Sequence, residues 1–362
     1  MPAPRITALV CTRNGARTIA SALESIKAQK HLASSDVEII VVDNGSTDAT
    51  PQIVADCLAS SRFECRFFVA AKEGKVNALI AGLEASRAEL VCIVDDDNIV
   101  CDTFLQTAVN FMAEHPDVGL IGGQNVLDGD EPPPPWFAEV KDFFACGLPY
   151  YIEPATDIDG YRAISPFGLI PGAGCTLRRT VLATLLADGF VFLNETFRGR
   201  KMAVTGEDRE LSILFNYFGW KMGHDTRMIL RHSVDRSRLT PDYLARLCQS
   251  IGAGNEGSNL LEAQREGRLD HWKQAWWWRA LQRCKRLAEL LPAHLARILR
   301  GGDISFGFAE WNMELGGLRR CLKDRDRLVE KARERAAKGW ARRQDVRAPD
   351  VTVSELKANV AC

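Results

Sequence analysis

Short apolar runs alternate with amphipathic stretches over the first 127 residues of the chain. The apolar runs predict buried strands, whereas apolar residues three and four positions apart, such as Ile19, Leu23 and Ile26, predict helices. Short linkers between such elements are typical of an α/β fold with a mostly parallel sheet flanked by helices. The predicted strands cover residues 6–11, 37–42, 66–70, 90–94 and 118–127, and the predicted helices cover 18–29, 51–58, 75–85 and 103–115.

The pattern changes after residue 127. An acidic segment at 128–131 and four prolines at 132–135 predict a stiff surface connection, because proline continues neither a helix nor a strand. An amphipathic stretch at 136–146 and an irregular segment to residue 168 follow. The elements predicted after it are strands at 171–177, 221–224 and 228–232, helices that begin at Arg179 and at 205–208, a helical extension over 240–347, and a flexible tail over 348–362.

Composition and charge narrow the class of protein without indicating a function. The 362 residues are 46% hydrophobic and 26% charged, and the net charge of −1 gives no sign of a nucleic-acid partner. The 11 cysteines show no CxxC pair or zinc-ligand spacing, which favours buried thiols in a reducing compartment. No apolar stretch approaches the roughly 18 residues of a membrane span, and the N-terminus lacks a signal-peptide pattern. We therefore expect a cytoplasmic protein, soluble or peripheral to a membrane.

Three consecutive carboxylates follow the strand predicted at 90–94. Asp95, Asp96 and Asp97 would repel one another unless a cation lay among them, and a divalent ion held by few carboxylates usually also binds phosphate. A solvated acidic turn that caps the next helix is the alternative. In parallel sheets ligands bind beyond the carboxyl ends of the strands, and Asn14 also follows a predicted strand at that edge.

Other polar residues could take part in chemistry, and each has a structural alternative. Asp43 could accept hydrogen bonds from a nucleotide base or ribose, or begin an Asn-Gly turn. Lys75 at a helix start could meet a diphosphate, or be solvated. Asp208 could take a proton from a substrate hydroxyl, or form a capping box with Glu207 and Thr205. His232 could bind Mn²⁺ or be a hydrogen-bonded core residue.

Taken in order, several segments resemble the inverting family-two glycosyltransferases, which have an A-type nucleotide-sugar-binding fold. These segments are 11–15, 42–48, 74–79, 94–97, 172–179 and 206–211. The resemblance implies a mostly parallel, Rossmann-like sheet. It also implies the transfer of a sugar from a nucleotide-diphosphate sugar to a hydroxyl of a glycan, glycolipid or other acceptor, with a UDP-sugar as the favoured donor. It also implies a role in bacterial cell-surface polysaccharide or glycoconjugate synthesis. Residues 247–252 lack the Gln-x-x-Arg-Trp motif of processive members, which favours single addition.

The resemblance also implies roles for individual residues. Asp208 would be the catalytic base, and Asp97 and His232 would hold Mn²⁺ or Mg²⁺. The residues implied in nucleotide-sugar binding are Thr12, Arg13, Asn14, Asp43, Lys75, Asp95 and Asp96, and those implied in the acceptor region are Gly174, Cys175 and Glu207. Residues 1–127 would form the nucleotide-sugar-binding half of one domain and residues 128–239 the half that binds the acceptor and carries the base.

Two features of the predicted extension concern partners. Trp272, Trp276, Trp277 and Trp278 lie among basic residues, and a basic helix rich in tryptophan suits an anionic membrane surface and a lipid-linked acceptor. The alternatives are packing on the catalytic domain or against a second copy of the chain in a homodimer. The strongly charged segment 323–343 is expected to be a solvated helix.

Two other functions account for part of the pattern. A nucleotidyltransferase also uses aspartates and Mg²⁺ around a nucleotide, but residues 12–17 are a poor match to its glycine-rich phosphate loop. An inactive nucleotide-sugar-binding scaffold would not need both the acid triplet and Asp208.

Overall fold

The computed structural model describes residues 3–129, 131–147, 157–158, 160–166, 168–194, 204–299, 302 and 304–349. Most of the predicted tail, residues 350–362, lies outside these ranges. The strands in the described ranges are β1 Ile6–Thr12, β2 Val37–Asp43, β3 Glu64–Val69, β4 Leu90–Asp95, β5 Asn98–Val100, β6 Val118–Asp128, β7 Asp157–Ile158, β8 Arg162–Ser165, β9 Thr176–Arg178 and β10 Lys221–Ser233.

Helices cover the sheet and continue beyond it. Those over the sheet are α1 Ile19–Lys27, α2 Thr50–Ala59, α3 Lys75–Ala85, α4 Phe104–Glu114, α5 Phe137–Val140, α6 Arg179–Ala187 and α7 Glu207–Tyr217. Those of the C-terminal part are α8 Pro241–Arg265, α9 Trp276–Leu299, α10 Phe306–Asp324 and α11 Asp326–Ala336.

Most strands of the sheet run in one direction, as the sequence predicts, but the middle strand is antiparallel to its neighbours. Its order is β3-β2-β1-β4-β9-β6-β10-β8-β7, and β5 pairs with β10. Strands β3, β2, β1 and β4 are parallel neighbours, and β6 is parallel to β10. Strand β9 runs antiparallel between β4 and β6. The strands that precede the candidate residues therefore end at the same edge, because β1, β2, β4 and β10 all point the same way.

Two strand predictions are wrong in detail. The strand predicted at 171–177 is reduced to β9, because Gly174 adopts a φ of 74° and turns the backbone before the strand begins. The strands predicted at 221–224 and 228–232 are one strand, β10, whose register against β6 shifts between His224 and Ile229. A bulge of this kind keeps one strand continuous while a polar segment interrupts the apolar pattern.

The C-terminal helices pack closely because glycines replace side chains at the contacts. A Cβ atom on Gly252 of α8 would overlap the Met313 carbonyl oxygen of α10, and one on Gly316 would overlap the Gln249 carbonyl oxygen. A Cβ on Gly254 would overlap the Thr205 carbonyl oxygen, just before α7. Helix α8 therefore presses directly on the segment that leads to Asp208.

Helix α11 corrects the expectation of a solvated charged helix. It buries Leu328, Val329 and Ala332, and the side chain of Arg335 is 0% exposed. Only one face of this helix is solvated. Within the described residues no helix is long and apolar enough to cross a membrane, and the ten cysteines found there are free thiols.

Candidate active site

The polar strand ends of β1, β2 and β4 lie side by side. Thr12 is paired with Asp43 across β1 and β2, and Cys11 is paired with Asp95 across β1 and β4. The apolar residues that precede them on all three strands are fully or almost fully buried. The core therefore fixes the positions of these polar groups at the sheet edge, as the sequence predicts.

Each carboxylate of the acid triplet has a different partner among the protein side chains. Asp95 Oδ1 lies 3.0 Å from Lys75 Nζ. The buried Asp96 accepts a 2.6 Å hydrogen bond from the Thr12 hydroxyl and lies beneath Gly15. Asp96 therefore supports the loop after β1, while Asp95 and Asp97 line a cavity at the sheet edge.

Asp97 and His232 form a second pair at this cavity. His232 Nε2 lies 3.5 Å from Asp97 Oδ1, and His232 Nδ1 donates a 2.8 Å hydrogen bond to the Phe144 carbonyl oxygen. That hydrogen bond directs Nε2 at the carboxylate. Burial alone would lower the pKa of His232, but the Asp97 carboxylate raises this pKa to about 10. The buried Asn98 side chain donates to Asp97 Oδ1 at 3.3 Å and accepts from the Asp95 amide at 3.1 Å, which fixes the turn.

The loops after β1 and β2 hold each other through side chains. The Ser46 hydroxyl donates to Asp43 Oδ1 at 2.6 Å, and the Thr47 amide donates to Asn14 Oδ1 at 2.8 Å. Asp43 and Asn14 therefore stabilise the turns, which is the structural alternative for Asp43. Arg13 is paired with Glu73.

A cavity lies at these loops, and we call it the donor-side cavity after the prediction that its residues bind the nucleotide sugar. Of the residues predicted to bind the nucleotide sugar, Thr12, Arg13, Lys75 and Asp95 line it. Asn44, which the sequence reasoning did not single out, also lines it and accepts a 3.0 Å hydrogen bond from the Gly74 amide. Its position directly after Asp43 at a strand end was the signal for it.

Asp208 lies at the first turn of α7. The Gly172 amide donates to its Oδ2 atom at 3.3 Å, and the Arg209 amide donates to Oδ1 at 2.8 Å. Burial and then the neighbouring Glu207 carboxylate raise the pKa of Asp208 above its usual range. The alternative capping box is not formed, because Gly206 occupies the cap position and has no side chain to accept a hydrogen bond.

A larger cleft contains Asp208 and meets the donor-side cavity. The two share Lys75, Asp95 and His232 as lining residues. Lys75 Nζ, 3.0 Å from Asp95, also lies 3.5 Å from Glu207 Oε1. Although burial opposes its charge, these two carboxylates raise the pKa of Lys75 above its usual range. Lys75 therefore links the acid triplet to the first turn of α7.

The far wall of the cleft is apolar and comes mainly from outside the central sheet. It includes Phe143, Phe144, Tyr243, Leu247, Ile251, Phe306 and Met313. Helices α8 and α10 of the predicted extension supply most of these side chains. The division of the chain into a catalytic domain and a separate extension stays a prediction, and both parts line the same cleft.

Of the three residues predicted for the acceptor region, one lines the cleft. Gly172 and Ala173 line the cleft, together with Glu207, whereas Gly174 and Cys175 do not. Gly174 packs against Leu230 and Phe104, and Cys175 belongs to the buried core. The turn at Gly174 directs the chain away from the cleft. Burial raises the pKa of the Cys175 thiol well above its usual range, which makes this thiol a poor nucleophile.

The site has two protein groups suited to a divalent metal. In the part of the chain that the structure describes, no three His, Cys, Asp or Glu side chains converge as a complete metal site. Asp97 and His232 nevertheless offer one carboxylate and one imidazole at the cavity wall, a donor set that suits Mn²⁺. Two protein ligands fit a metal that takes its other ligands from water and a substrate diphosphate.

Comparison of the sequence with protein families finds a match over the first half of the chain. The family described as Glycosyl transferase family 2 matches residues 7–170. Residues 7–170 are a glycosyl transferase family 2 domain. The acid triplet and Lys75 lie within this domain. Asp208 and His232 lie beyond the matched residues. The roles of all these residues, inside and outside the matched range, stay predictions.

Two curated relatives illustrate the similarity in sequence. An uncharacterized glycosyltransferase from Nostoc is 28% identical over 127 residues, which cover 35% of this chain and 38% of the relative. The succinoglycan biosynthesis protein ExoO of Rhizobium meliloti is 35% identical over 97 residues, which cover 27% and 26%. The chain therefore spans less than half the length of these two relatives.

The similarity to a solved structure extends over most of the fold. The mannosyltransferase PcManGT from Pyrobaculum calidifontis, in complex with GDP-Man and Mn²⁺, has a TM-score of 0.53 and 18% identity, covering 90% of this chain and 87% of that chain. At this level of identity the similarity shows the fold alone. The α/β part of the chain has an A-type glycosyltransferase fold, and a helical C-terminal region follows it.

Proposed function

We propose that this protein is a metal-assisted inverting glycosyltransferase that transfers a single sugar from a nucleotide-diphosphate sugar to an acceptor hydroxyl. The observation that carries the proposal is the meeting of two cavities at Lys75, Asp95 and His232. The Asp97–His232 pair lies on the donor side of this junction, and Asp208 lies on the other side. An inverting displacement between two substrates needs such an arrangement, because the nucleophile must approach the carbon from the face opposite the departing group.

The proposed reaction is one displacement with Asp208 as the base. The acceptor oxygen attacks the anomeric carbon, its proton passes to the Asp208 carboxylate, and the bond from that carbon to the diphosphate oxygen breaks. Asp97 and His232 would hold Mn²⁺ or Mg²⁺, which when bound supplies Lewis-acid stabilisation of the charge on the departing diphosphate. The raised pKa of Asp208 makes it a stronger base than a solvated aspartate. A single displacement inverts the anomeric centre and needs no enzyme nucleophile.

The acceptor in this proposal has an apolar part, such as the lipid of a glycolipid. The aromatic and aliphatic wall lines the same cleft as Asp208, and contact with an apolar part of the acceptor would remove this wall from water. Lipid-linked acceptors are built in the synthesis of bacterial cell-surface polysaccharides and glycoconjugates, which is the process we propose. The relative from Rhizobium meliloti is named for the synthesis of one such polysaccharide.

A half-exposed apolar face on α9 supports a location at the inner face of the cytoplasmic membrane. Trp277, Leu281, Leu291, Leu295 and Ile298 lie on one face of the helix and are each between 41% and 53% exposed. The opposite face is held to the protein, because α9 packs on α10 and carries arginines paired with Glu256 of α8. An exposed face of this composition fits the boundary between headgroups and acyl chains.

Vesicle co-sedimentation tests this surface. We expect the protein to sediment with anionic vesicles at low salt, and the double variant Leu291→Glu/Leu295→Glu to lose at least about tenfold in partition, because two carboxylates would enter the apolar boundary. Leu322→Glu is the matched control, since Leu322 is 51% exposed on α10 and lies outside the α9 face. Absence of sedimentation at low salt would rule out the proposed membrane binding. A concentration-dependent dimer that the double variant abolishes would show that the apolar face of α9 binds a second copy of the chain.

A thermal-shift screen with Mn²⁺ tests the proposed function. A UDP-sugar is the favoured donor, and GDP-sugars and dTDP-sugars complete the panel. A ligand at about 100 times its dissociation constant should stabilise the protein by about 2.7 kcal/mol. The part of this gain that requires Mn²⁺ should disappear in Asp97→Asn and persist in Asp102→Asn, whose carboxylate pairs with Lys30 at the surface. Stabilisation by nucleotide sugars that ignores both Mn²⁺ and Asp97 would contradict the metal assignment.

The two alternative functions predict different products. A nucleotidyltransferase would release inorganic diphosphate from a nucleoside triphosphate, and an inactive scaffold would bind a nucleotide sugar without releasing the nucleotide. The loop after β1 does not favour a nucleotidyltransferase. Side-chain hydrogen bonds of Asn14 and Asp96 hold this loop to the neighbouring turns, and it does not form a phosphate-binding P-loop. The cleft around Asp208 would have no use in a scaffold.

A further inference from the structure

Arg238 contacts the proposed metal site in a way that the mechanism above does not use. It ends the short 3₁₀ turn Arg236–Arg238, and its side chain lines the larger cleft. Its Nη1 atom lies 3.3 Å from Asp97 Oδ2. His232 Nε2 lies 3.5 Å from the other oxygen, Oδ1. Both oxygens of the carboxylate that would bind the metal therefore already have a partner.

The two partners differ in how they can respond to a divalent cation. An imidazole has a ring nitrogen that can coordinate a metal, so His232 can become a ligand where it stands. The guanidinium of Arg238 stays protonated and offers only N–H donors, so it cannot coordinate a metal. A divalent cation bound to Asp97 would repel a guanidinium at the second carboxylate oxygen. Of the two groups, Arg238 is the one that has to move when the metal binds.

The position of Arg238 gives the displaced side chain a place to go. It is 34% exposed, and the cleft that it lines meets the donor-side cavity at Lys75, Asp95 and His232. A donor diphosphate bound to the metal would lie at the same junction. Once a metal occupies the Asp97 carboxylate, this carboxylate no longer accepts a hydrogen bond from Arg238. The planar guanidinium can then donate two parallel hydrogen bonds to a pair of phosphate oxygens.

We propose that Arg238 is a resident counter-cation of Asp97, which gives way to the metal and then binds the diphosphate of the donor. This inference rests on the proposed function. It makes Arg238 a competitor for the metal alone and a ligand for the nucleotide when the metal is present. Removal of Arg238 should therefore raise the affinity for Mn²⁺ and lower the affinity for the nucleotide. A purely structural role would not change the two affinities in opposite directions.

Two titrations of Arg238→Gln test this inference. Free Mn²⁺, followed by electron paramagnetic resonance without nucleotide, should bind the variant roughly three- to tenfold more tightly, because the competing cation is gone. UDP and GDP, titrated by calorimetry at saturating Mn²⁺, should bind roughly 10- to 100-fold more weakly, because a charge-assisted hydrogen bond is lost. Arg238→Lys should keep the wild-type affinity for Mn²⁺ and recover only part of the nucleotide affinity, because it lacks the planar fork.

Arg236→Gln is the matched control for both titrations. Arg236 lies in the same turn and has the same charge, but it pairs with Glu131 and the Pro132 carbonyl oxygen at the surface. Neither affinity should change in this variant. Weaker Mn²⁺ binding by Arg238→Gln would overturn the inference, since Arg238 would then support Asp97, and so would an unchanged nucleotide affinity. A wild-type protein that binds neither Mn²⁺ nor nucleotide would instead remove the proposed function, and the inference with it.

Discussion

Asp208→Asn is expected to lower kcat roughly 10²–10⁴-fold, the usual contribution of a general base. The amide keeps the size of the side chain and can still accept one of the two hydrogen bonds that the Gly172 and Arg209 amides donate to Asp208, but it cannot take the acceptor proton. Because Asp208 lies on the acceptor side of the junction, donor binding should change by less than about twofold. Initial rates of nucleotide release in the presence of an acceptor, together with donor calorimetry, separate the two effects.

Asp142→Asn is the control for the loss of the base. Asp142 is another carboxylate that lines the same cleft, so its removal changes the local charge by the same amount. We expect its kcat to stay within roughly tenfold of wild type, because no proton transfer is assigned to it. If Asp208→Asn kept near wild-type activity, another group would have to accept the proton, and the proposed mechanism would be wrong.

Arg335→Leu is expected to lower the free energy of unfolding by about 3–5 kcal/mol, as the removal of one partner from a buried ion pair does. Arg335 Nη1 lies 2.7 Å from Glu210 Oε1, and both side chains are 0% exposed. Glu210 Oε2 also accepts hydrogen bonds from the Leu193 and Asn194 amides at 3.0 and 2.9 Å. Without the guanidinium, α7 would carry an uncompensated charge in the core two residues after Asp208.

Urea unfolding at two pH values measures this effect. Burial raises the pKa of Glu210, and the loss of Arg335 would raise it further. The folded variant would then bind the Glu210 proton more tightly than the unfolded chain, so its stability is greatest below the unfolded pKa and falls as the pH rises from there through the raised folded pKa. The loss caused by Arg335→Leu should therefore be larger at neutral pH than in mild acid. The double variant Glu210→Gln/Arg335→Leu should recover part of it at neutral pH.

Arg333→Leu is the surface control on the same helix. Arg333 is 51% exposed and pairs with Asp270, so its removal should cost less than about 1 kcal/mol. Equal stability of the Arg333 and Arg335 variants would show that the buried pair does not hold α11 to α7.

The sequence predicts the parts of this structure that depend on local pattern. Apolar runs such as 90–94 are buried on both faces of the sheet, so their composition alone indicates strands of a parallel sheet. The proximity of Thr12, Asp43 and Asp95 also follows, because parallel strands that end in polar residues place them at one edge. The directions of the three triplet carboxylates do not follow, since they depend on Asn98 and the turn that it fixes.

Contacts between distant segments account for most of what the sequence does not indicate. The contact of Arg238 with Asp97 joins residues 141 positions apart, and no periodicity marks a single arginine in a polar loop. The charge of α11 indicates a solvated helix, but Arg335 finds a buried carboxylate on α7. Gly254 of α8 gives no signal of the tight packing that it allows against Thr205.

Release of free nucleotide from UDP- and GDP-sugars by the purified protein, measured with and without Mn²⁺, tests the central claim most directly. The account predicts release that requires Mn²⁺ and is lost in Asp97→Asn and in Asp208→Asn. Release of inorganic diphosphate from nucleoside triphosphates, with every nucleotide sugar left intact, would contradict it.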